Sequence, residues 1–321
     1  MDILKTLRFV RGAVSTKSFI PEMKHFVVKD GTVRAFNGII AISSPIDFDV
    51  NCAPIAEPFI KAIDICEDVV SLGMTGANRL RIQSGKFRAY INCVELEAMA
   101  DQQPVGDEVG VDGGTLLDAI TTLLPFVGND ASKPWSNGIL LRDQSAYATN
   151  NVCLVEYWLG VKLPFTVNVP VNALKEVVRI KEPPTHLQIN EQSITFHYND
   201  GRWIRSQLYA TNWPDQMCDL LGAESNQKEI PDDFFQSLAT LKPFLDEGNR
   251  VYFIDGKLRT SDEEEIGAMA IVEDLPPEGI YNHHMLSLLA PVAKTADFAT
   301  YPRPVIFYGG RLRGAIIGYS Q

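Results

Sequence analysis

RLRIQSGKFRAYI, residues 79–91, runs an alternating strand into Ser84-Gly85, passes a lysine and enters a second strand. The same order returns in ITFHYNDGRWIRSQL (194–208) around Asp200-Gly201, and in PVIFYGGRLRGAII (304–317) around Gly309-Gly310. A tight glycine-bearing turn between two apolar or alternating runs is the signature of a β-hairpin. These turns stand about 116 and 109 residues apart. A second series keeps step with the first. Asp30-Gly31 lies between FVV and TVRAF, Asp143-Gln144 between GILLR and SAYAT, and Asp255-Gly256 between RVYFI and KLRTS, at spacings of about 113 and 112. Two ladders in phase indicate three tandem repeats of one supersecondary unit.

Six segments between the hairpins carry helical periodicity: 2–14, 57–71, 115–127, 170–181, 231–245 and 279–295. In the first, Leu4, Leu7, Val10 and Val14 recur at the three- and four-residue spacing of one helical face. Leu174, Val177 and Val178 do the same in the fourth. Each repeat therefore holds two helix-plus-hairpin halves. The expected domains are 1–104, 105–217 and 218–321, with linkers at 95–112 and 215–230. A helix with one apolar face must cover a sheet with one apolar face, so the fold class is α+β, two layers deep. Six half-units in series make an arc, helices on one side and sheets on the other. Its terminal strands leave edges open to another copy.

Composition narrows the function classes. No apolar run approaches the ~18 residues needed to span a bilayer. Met1-Asp2 opens acidic, and Lys5, Arg8 and Arg11 interrupt the apolar stretches that follow, so no signal peptide is expected. The five cysteines, 52, 66, 93, 153 and 218, are scattered and never form C-x-x-C. That pattern fits a reduced cytosol, with neither a disulfide framework nor a zinc ribbon. The net charge is −11, yet residues 1–104 carry 12 basic and 12 acidic side chains and 218–321 carry 9 and 16. Acidity grows along the chain, and a local basic surface in the first third survives the overall sum.

Catalytic signatures are lacking. The sequence has no G-x-S-x-G, P-loop or H-E-x-x-H. Gly113-Gly114 and Gly309-Gly310 read as turns rather than as a dinucleotide fingerprint. His283-His284 would point about 100° apart on a helix and reads as a solvated helix start. Asp262 to Glu265 reads as a solvated acidic loop. Cys153 reads as a buried, inert thiol. Neither a cofactor nor a metal is expected.

Several strings carry a family likeness. FVRGAVSTKSFIPEMKHFVVKDGTVRAFNG (9–38) resembles the opening helix, loop and first hairpin of the bacterial sliding clamp, the beta subunit of DNA polymerase III. LRIQSGKFRAYI (80–91) is similar to that family's Ser-Gly-basic hairpin closing domain one. NGILL (137–141) with AYATNNVCL (146–154) resembles the domain-two segment ending Ala-Thr-Asp-Gly-His-Arg-Leu, and SQLYATNWPD (206–215) resembles the close of domain two. The likeness runs through the whole chain in order, strongest in 1–100 and 135–215. The compressed loops fit a phage- or plasmid-borne member.

The resemblance implies three clamp domains per chain and a head-to-tail homodimeric ring, helices lining the hole and sheets outside. Such a ring encircles duplex DNA without reading its sequence, tethers a DNA polymerase and is opened by a clamp loader ATPase. It has no enzymatic activity, no membrane partner and a cytoplasmic location in a bacterium or phage-infected cell. DNA-facing positions would be Lys5, Arg8 and Arg11 on helix one, Lys17 in the loop after it, Lys133 and Trp135 in a domain-two loop, and Lys175 and Arg179 on helix four. Each cationic set also reads as a solvated helix face, and Trp135 as a core or loop anchor. Helix two is acidic, with Lys61 outnumbered by Glu57, Asp64, Glu67 and Asp68. The family's partner-peptide pocket maps to Thr149, Asn151, Val152, Leu154, Leu220, Leu221, Ile316 and Ile317. Asn151-Val152-Cys153 replaces the usual Gly-His-Arg, and the tail lacks Met-Pro-Met. Phe244 and Leu245 are the expected subunit contacts. An α+β repeat enzyme with a site assembled across domains, or a ring-forming structural protein that does not bind DNA, are the competing readings.

Overall fold

The computed structural model of the chain describes residues 2–67, 69–210, 212–214, 216–263 and 265–320. Asp68 of the acidic second helix and Glu264 of the acidic run lie outside them. In chain order the first third of the chain supplies α1 (Ile3–Val10), β1 (Val27–Lys29), β2 (Thr32–Phe36), β3 (Ile40–Pro45), β4 (Ala53–Pro54), α2 (Ala56–Ile65), β5 (Ser71–Met74), β6 (Arg79–Ser84) and β7 (Phe87–Val94). The second supplies β8 (Asp107–Gly110), α3 (Gly113–Leu123), β9 (Gly138–Arg142), β10 (Ser145–Thr149), β11 (Cys153–Trp158), β12 (Val167–Pro170), α4 (Val171–Ile180), β13 (His186–Ile189), β14 (Ser193–His197) and β15 (Trp203–Gln207). The third supplies α5 (Gln216–Asp219), β16 (Lys228–Glu229), α6 (Phe234–Leu241), β17 (Arg250–Ile254), β18 (Lys257–Arg259), β19 (Met269–Ile271), β20 (Glu278–Asn282), α7 (His283–Ser287), β21 (Thr295–Ala296), β22 (Val305–Gly309) and β23 (Leu312–Ile316). Among the described residues no helix is long and apolar enough to cross a membrane.

All six turn signals are hairpins. Asp30 and Gly31 (φ 50° and 70°) and Asp255 and Gly256 (49° and 72°) take the left-handed conformation that primed hairpin turns demand. By contact the chain resolves into two compact units, Met1–Leu117 with Asn172–Ala210, and Asp118–Val171 with Thr211–Gln321. The first holds a seven-stranded antiparallel sheet, β1-β2-β3-β15-β14-β13-β8, and a four-stranded sheet, β4-β7-β6-β5. The second holds an eight-stranded sheet, β12-β9-β10-β11-β23-β22-β21-β16, and a four-stranded sheet, β19-β18-β17-β20. Each large sheet forms where two hairpin triplets meet at their last strands. β3 pairs with β15, Ile42 opposite Ile204, and β11 pairs with β23, Leu154 opposite Ala315.

Burial follows the periodicity. On α1, Leu7, Phe9 and Val10 are buried against β2, β3 and α2 while Lys5 and Arg8 stay exposed. Asp2 caps the helix, its carboxylate accepting from the Lys5 amide at 3.1 Å. In the second unit, Phe234, Phe253, Tyr281 and Phe298 pack with ring centroids 4.9–6.0 Å apart. Fully burying one such ring stabilises by roughly 1.5–3 kcal/mol, so the last third of the chain is held by this cluster.

Five of the six expected helices form, several closing with a 3-10 turn. The segment 279–295 differs: Glu278–Asn282 is strand β20, paired with β17, and α7 covers only His283–Ser287. Glu278 to Asn282 buries alternate residues, Gly279 and Tyr281, which is strand periodicity hidden beneath an apolar run. His283 is buried, not solvated, with Nε2 2.8 Å from the Leu238 carbonyl oxygen. Gly113-Gly114 opens α3 instead of forming a turn. The Asp112 carboxylate accepts from the Gly114 and Thr115 amides, and a Cβ on Gly113 would stand 1.8 Å from the Pro184 carbonyl oxygen. The expected linkers are partly structured, since β8 pairs with β13 and β16 with β21.

Candidate nucleic-acid and partner-binding sites

The cations expected to face DNA are exposed, and several are already paired. Arg8 Nη2 lies 2.9 Å from Asp64 and Arg11 Nε 2.6 Å from Glu57, so the acids of α2 answer the basic stripe of α1. These pairs are solvent-exposed, with more than half of each arginine side chain accessible. Pairs of that kind contribute about 0–1 kcal/mol, too little to prevent an arginine from turning to a phosphate. Arg179 is held more firmly. Its Nε meets Glu176 at 2.7 Å, and its Nη2 donates to the Phe9 carbonyl oxygen at 2.7 Å, fixing α4 to α1. Lys5, Lys17 and Lys175 are exposed. Lys133 donates to Asn151 Oδ1 at 3.4 Å. Trp135 is half-buried and packs edge-on against Trp213, centroids 5.2 Å apart, which makes it a wall of the apolar cluster described next.

The three segments of the expected peptide pocket converge within the second unit. The turn between β10 and β11 is built by Asn150, whose Oδ1 accepts from the Val152 and Cys153 amides at 3.1 and 2.8 Å. Asn151 takes φ 69°, a conformation asparagine tolerates better than most residues. The Ile317 amide then donates to the Val152 carbonyl at 3.0 Å, so the end of β23 lies beside this turn. Arg313 Nη1 donates to the Leu221 carbonyl at 3.4 Å and brings in the third segment. The eight residues sort by burial. Thr149, Leu154, Leu221 and Ile316 are at most 3% exposed. Thr149 and Leu154 pair across β10 and β11 on one face of the sheet and form a floor with Leu221, whereas Ile316 pairs with Cys153 and points to the opposite face, so it belongs to the core. Asn151 and Val152 are half-buried, and Leu220 and Ile317 are exposed at 43% and 44%, forming a rim. Cys153 is buried, and desolvation pushes its thiol up to about 12, as an inert core cysteine requires.

Leu154 and Leu221 belong to a cluster with Leu140, Tyr147, Trp213, Ile306 and Ala315, with Met217 and Cys218 packed against it. Of these, Leu140, Tyr147, Trp213, Ile306, Ala315, Met217 and Cys218 escape a sequence reading; the WPD string (213–215) signals only that an aromatic is near. The cluster rests on a buried carboxylate. Glu156 accepts from Ser145 Oγ at 2.6 Å and Tyr147 OH at 2.9 Å, and it is ion-paired with Arg313. Burial pushes the Glu156 carboxyl up, but the Ser145, Arg313 and Tyr147 hydrogen bonds outweigh it and hold the group below the usual range. Burial, then the Glu156 charge, pushes the Tyr147 hydroxyl up to about 12.

No protein-family model matches the sequence, and no curated protein matches it. Solved structures do match over the full length. A DNA polymerase sliding clamp from Bacillus subtilis superposes with a TM-score of 0.85 at 17% identity, covering 99% of this chain and 97% of that one. The clamp from Caulobacter crescentus gives 0.86 at 17% identity, covering 100% and 98%. The Helicobacter pylori beta clamp bound to a DNA ligase peptide gives 0.81 at 16%, covering 100% and 98%. Over its full length, this chain has the fold of the bacterial DNA polymerase sliding clamps.

Proposed function

We propose that the protein is a DNA sliding clamp, a processivity factor that encircles duplex DNA and tethers a DNA polymerase. The observation that carries this reading is the full-length match in fold, with nearly all of each clamp chain covered and no large insertion for separate chemistry. The chain is read as three clamp domains, 1–104, 105–217 and 218–321, with a scaffolding rather than a catalytic role in the bacterial cytoplasm.

The strand pairings support ring closure. Within the chain, last strands of hairpin triplets pair as β3 with β15 and β11 with β23. Two last strands remain, β7 and β19. β19 has β18 on one side only, and β7 meets β4 only at Cys93 and Val94. Each edge carries exposed apolar side chains, Tyr90 on β7 and Met269 and Ile271 on β19. Bare strand edges of this kind pair with another chain. Joining β7 of one copy to β19 of the next, twice, would close a head-to-tail dimer in which every hairpin triplet has its last strand paired. α6 packs on β18 and β19 and leads into Phe244, which is exposed, so Phe244 and Leu245 belong to the same joint.

Weak DNA contacts suit this role. Enclosure retains the duplex by topology, so the cations need only make labile, sequence-independent phosphate contacts. Exposed arginines that exchange Asp64 or Glu57 for a phosphate fit that requirement, as do Lys5, Lys17, Lys133 and Lys175. The rim of Asn151, Val152, Leu220 and Ile317 above its apolar floor is the seat proposed for a peptide of the polymerase or loader, and a peptide complex is known for the Helicobacter pylori clamp. The test is primer extension on singly primed circular DNA with a polymerase and a clamp loader ATPase. Products should lengthen many-fold only when the protein and ATP are present. Unchanged product lengths would reject the reading.

A further inference from the structure

Two of the five cysteines, Cys52 and Cys93, stand on one side of neighbouring strand segments. β4 lies along β7 with Pro54 opposite Cys93 and Ala53 opposite Val94. Side chains two residues apart on a strand share a face, so Cys52, two before Pro54, stands on the same side as Cys93. Cys93 Sγ donates to the Ile91 carbonyl oxygen at 3.7 Å, and the two thiols are close enough for each to shift the other's titration. Cys52 is also bridged through its backbone to Val28 of β1, donating and accepting at 2.9 and 2.8 Å, so the chain passes between sheets at this point. Exposure divides the pair: Cys52 is 3% exposed, whereas Cys93 is half-buried.

Their surroundings divide them further. The neighbouring Cys52 thiol pushes the Cys93 thiol down, helped by hydrogen bonds to the Leu80 and Ala53 backbone and opposed by burial. The Cys93 thiol and burial push Cys52 up. Thiolate character and access together mark a cysteine open to oxidation, and a second thiol beside it can resolve the product. Burial pushes the Cys66 and Cys153 thiols up, which removes them from competition.

We propose that Cys52 and Cys93 form a peroxide-responsive dithiol, with Cys93 the attacking thiolate and Cys52 the resolving thiol. The Cys93 thiolate attacks one oxygen of hydrogen peroxide; the O–O bond breaks, hydroxide leaves and a sulfenic acid forms. Cys52 then gives up its proton and attacks the Cys93 sulfur, the S–O bond breaks and water leaves. Two thiols are oxidised by two electrons to one disulfide, and one peroxide is reduced to two waters. The bond joins β4 to β7 around a loop that contains α2, β5 and β6. Through the Val28 bridge it also ties β7 to β1. It rests on these contacts alone and stands whether or not the protein encircles DNA.

The experiment treats the intact protein with stoichiometric hydrogen peroxide, quenches with catalase and digests it without reduction for mass spectrometry. The expected result is loss of two of the five thiols, a Cys52–Cys93 cross-linked peptide pair lighter by two hydrogens, and a melting temperature raised until dithiothreitol is added. With dimedone present, C52A should accumulate label on Cys93, and C93A should label at neither position. Dimedone on Cys66 or Cys218 ahead of Cys93, or cross-links only between copies, would overturn the proposal. Because the cross-linked peptide is sought in the unsubstituted protein, a variant that fails to fold does not rescue it.

Discussion

Val152→Asp combined with Leu220→Asp should abolish polymerase stimulation on primed circular DNA while the protein keeps its fold and the proposed dimeric state. Both side chains belong to the rim, half-buried and 43% exposed, so a carboxylate there is hydrated in the free protein. Docking of an apolar peptide would strip that water, and an unpaired charge pays heavily for desolvation. Anchor positions in such grooves commonly account for about 2 kcal/mol or more each, roughly a thirtyfold loss of affinity apiece. Ile317→Asp, also on the rim, should behave in the same way. Leu221→Asp is a different experiment. Leu221 is 1% exposed inside the apolar cluster, so its substitution reports on folding. Peptide binding by fluorescence anisotropy separates the cases, and normal stimulation by the double variant would place the partner surface elsewhere.

The second large effect is on assembly. Met269→Asp with Ile271→Asp should convert the proposed dimer to a monomer of 35.6 kDa in light scattering at micromolar concentration. Both side chains lie on the open edge of β19, more than 60% exposed, so the isolated chain tolerates the change. In the proposed joint the same carboxylates would be buried against β7, and each uncompensated charge there costs about 2–5 kcal/mol, several orders of magnitude in dissociation constant for the two together. Tyr90→Asp on β7 should reproduce the effect from the other side of the joint. A dimer that survives both changes would remove β7 and β19 from the interface, and Phe244 with Leu245 would then be tested alone.

The repeat and its six hairpins are legible because turn chemistry is local. Asp30-Gly31, Ser84-Gly85, Asp200-Gly201 and Asp255-Gly256 set the backbone between flanking apolar runs, and the structure places a hairpin at each. Asp112-Gly113, which no such runs flank, opens α3 instead. What failed depended on distant partners. Nothing within 279–295 reveals that Glu278–Asn282 pairs with β17, and nothing near Gly113 shows the approach of Pro184. The basic stripe of α1 and the acids of α2 were both readable, but the contacts of Arg8 with Asp64 and Arg11 with Glu57 require the packing of one helix on the other. In the candidate pocket the apolar residues were readable as a set. Their division into floor and rim was not, because burial of Leu221 and exposure of Leu220, neighbours in sequence, depends on a single 3-10 turn. Trp213 and Tyr147 carried no motif of their own.

The central claim is enclosure of DNA, and retention tests it most directly. The protein, loaded by a clamp loader ATPase onto nicked circular DNA and freed of excess by gel filtration, should co-elute with the circle in salt that screens phosphate contacts. Cutting that circle once with a restriction endonuclease should release it, because a ring slides off an open end whereas a protein held by charge does not. Equal retention before and after linearisation, or loss from the intact circle as salt rises, would contradict the account.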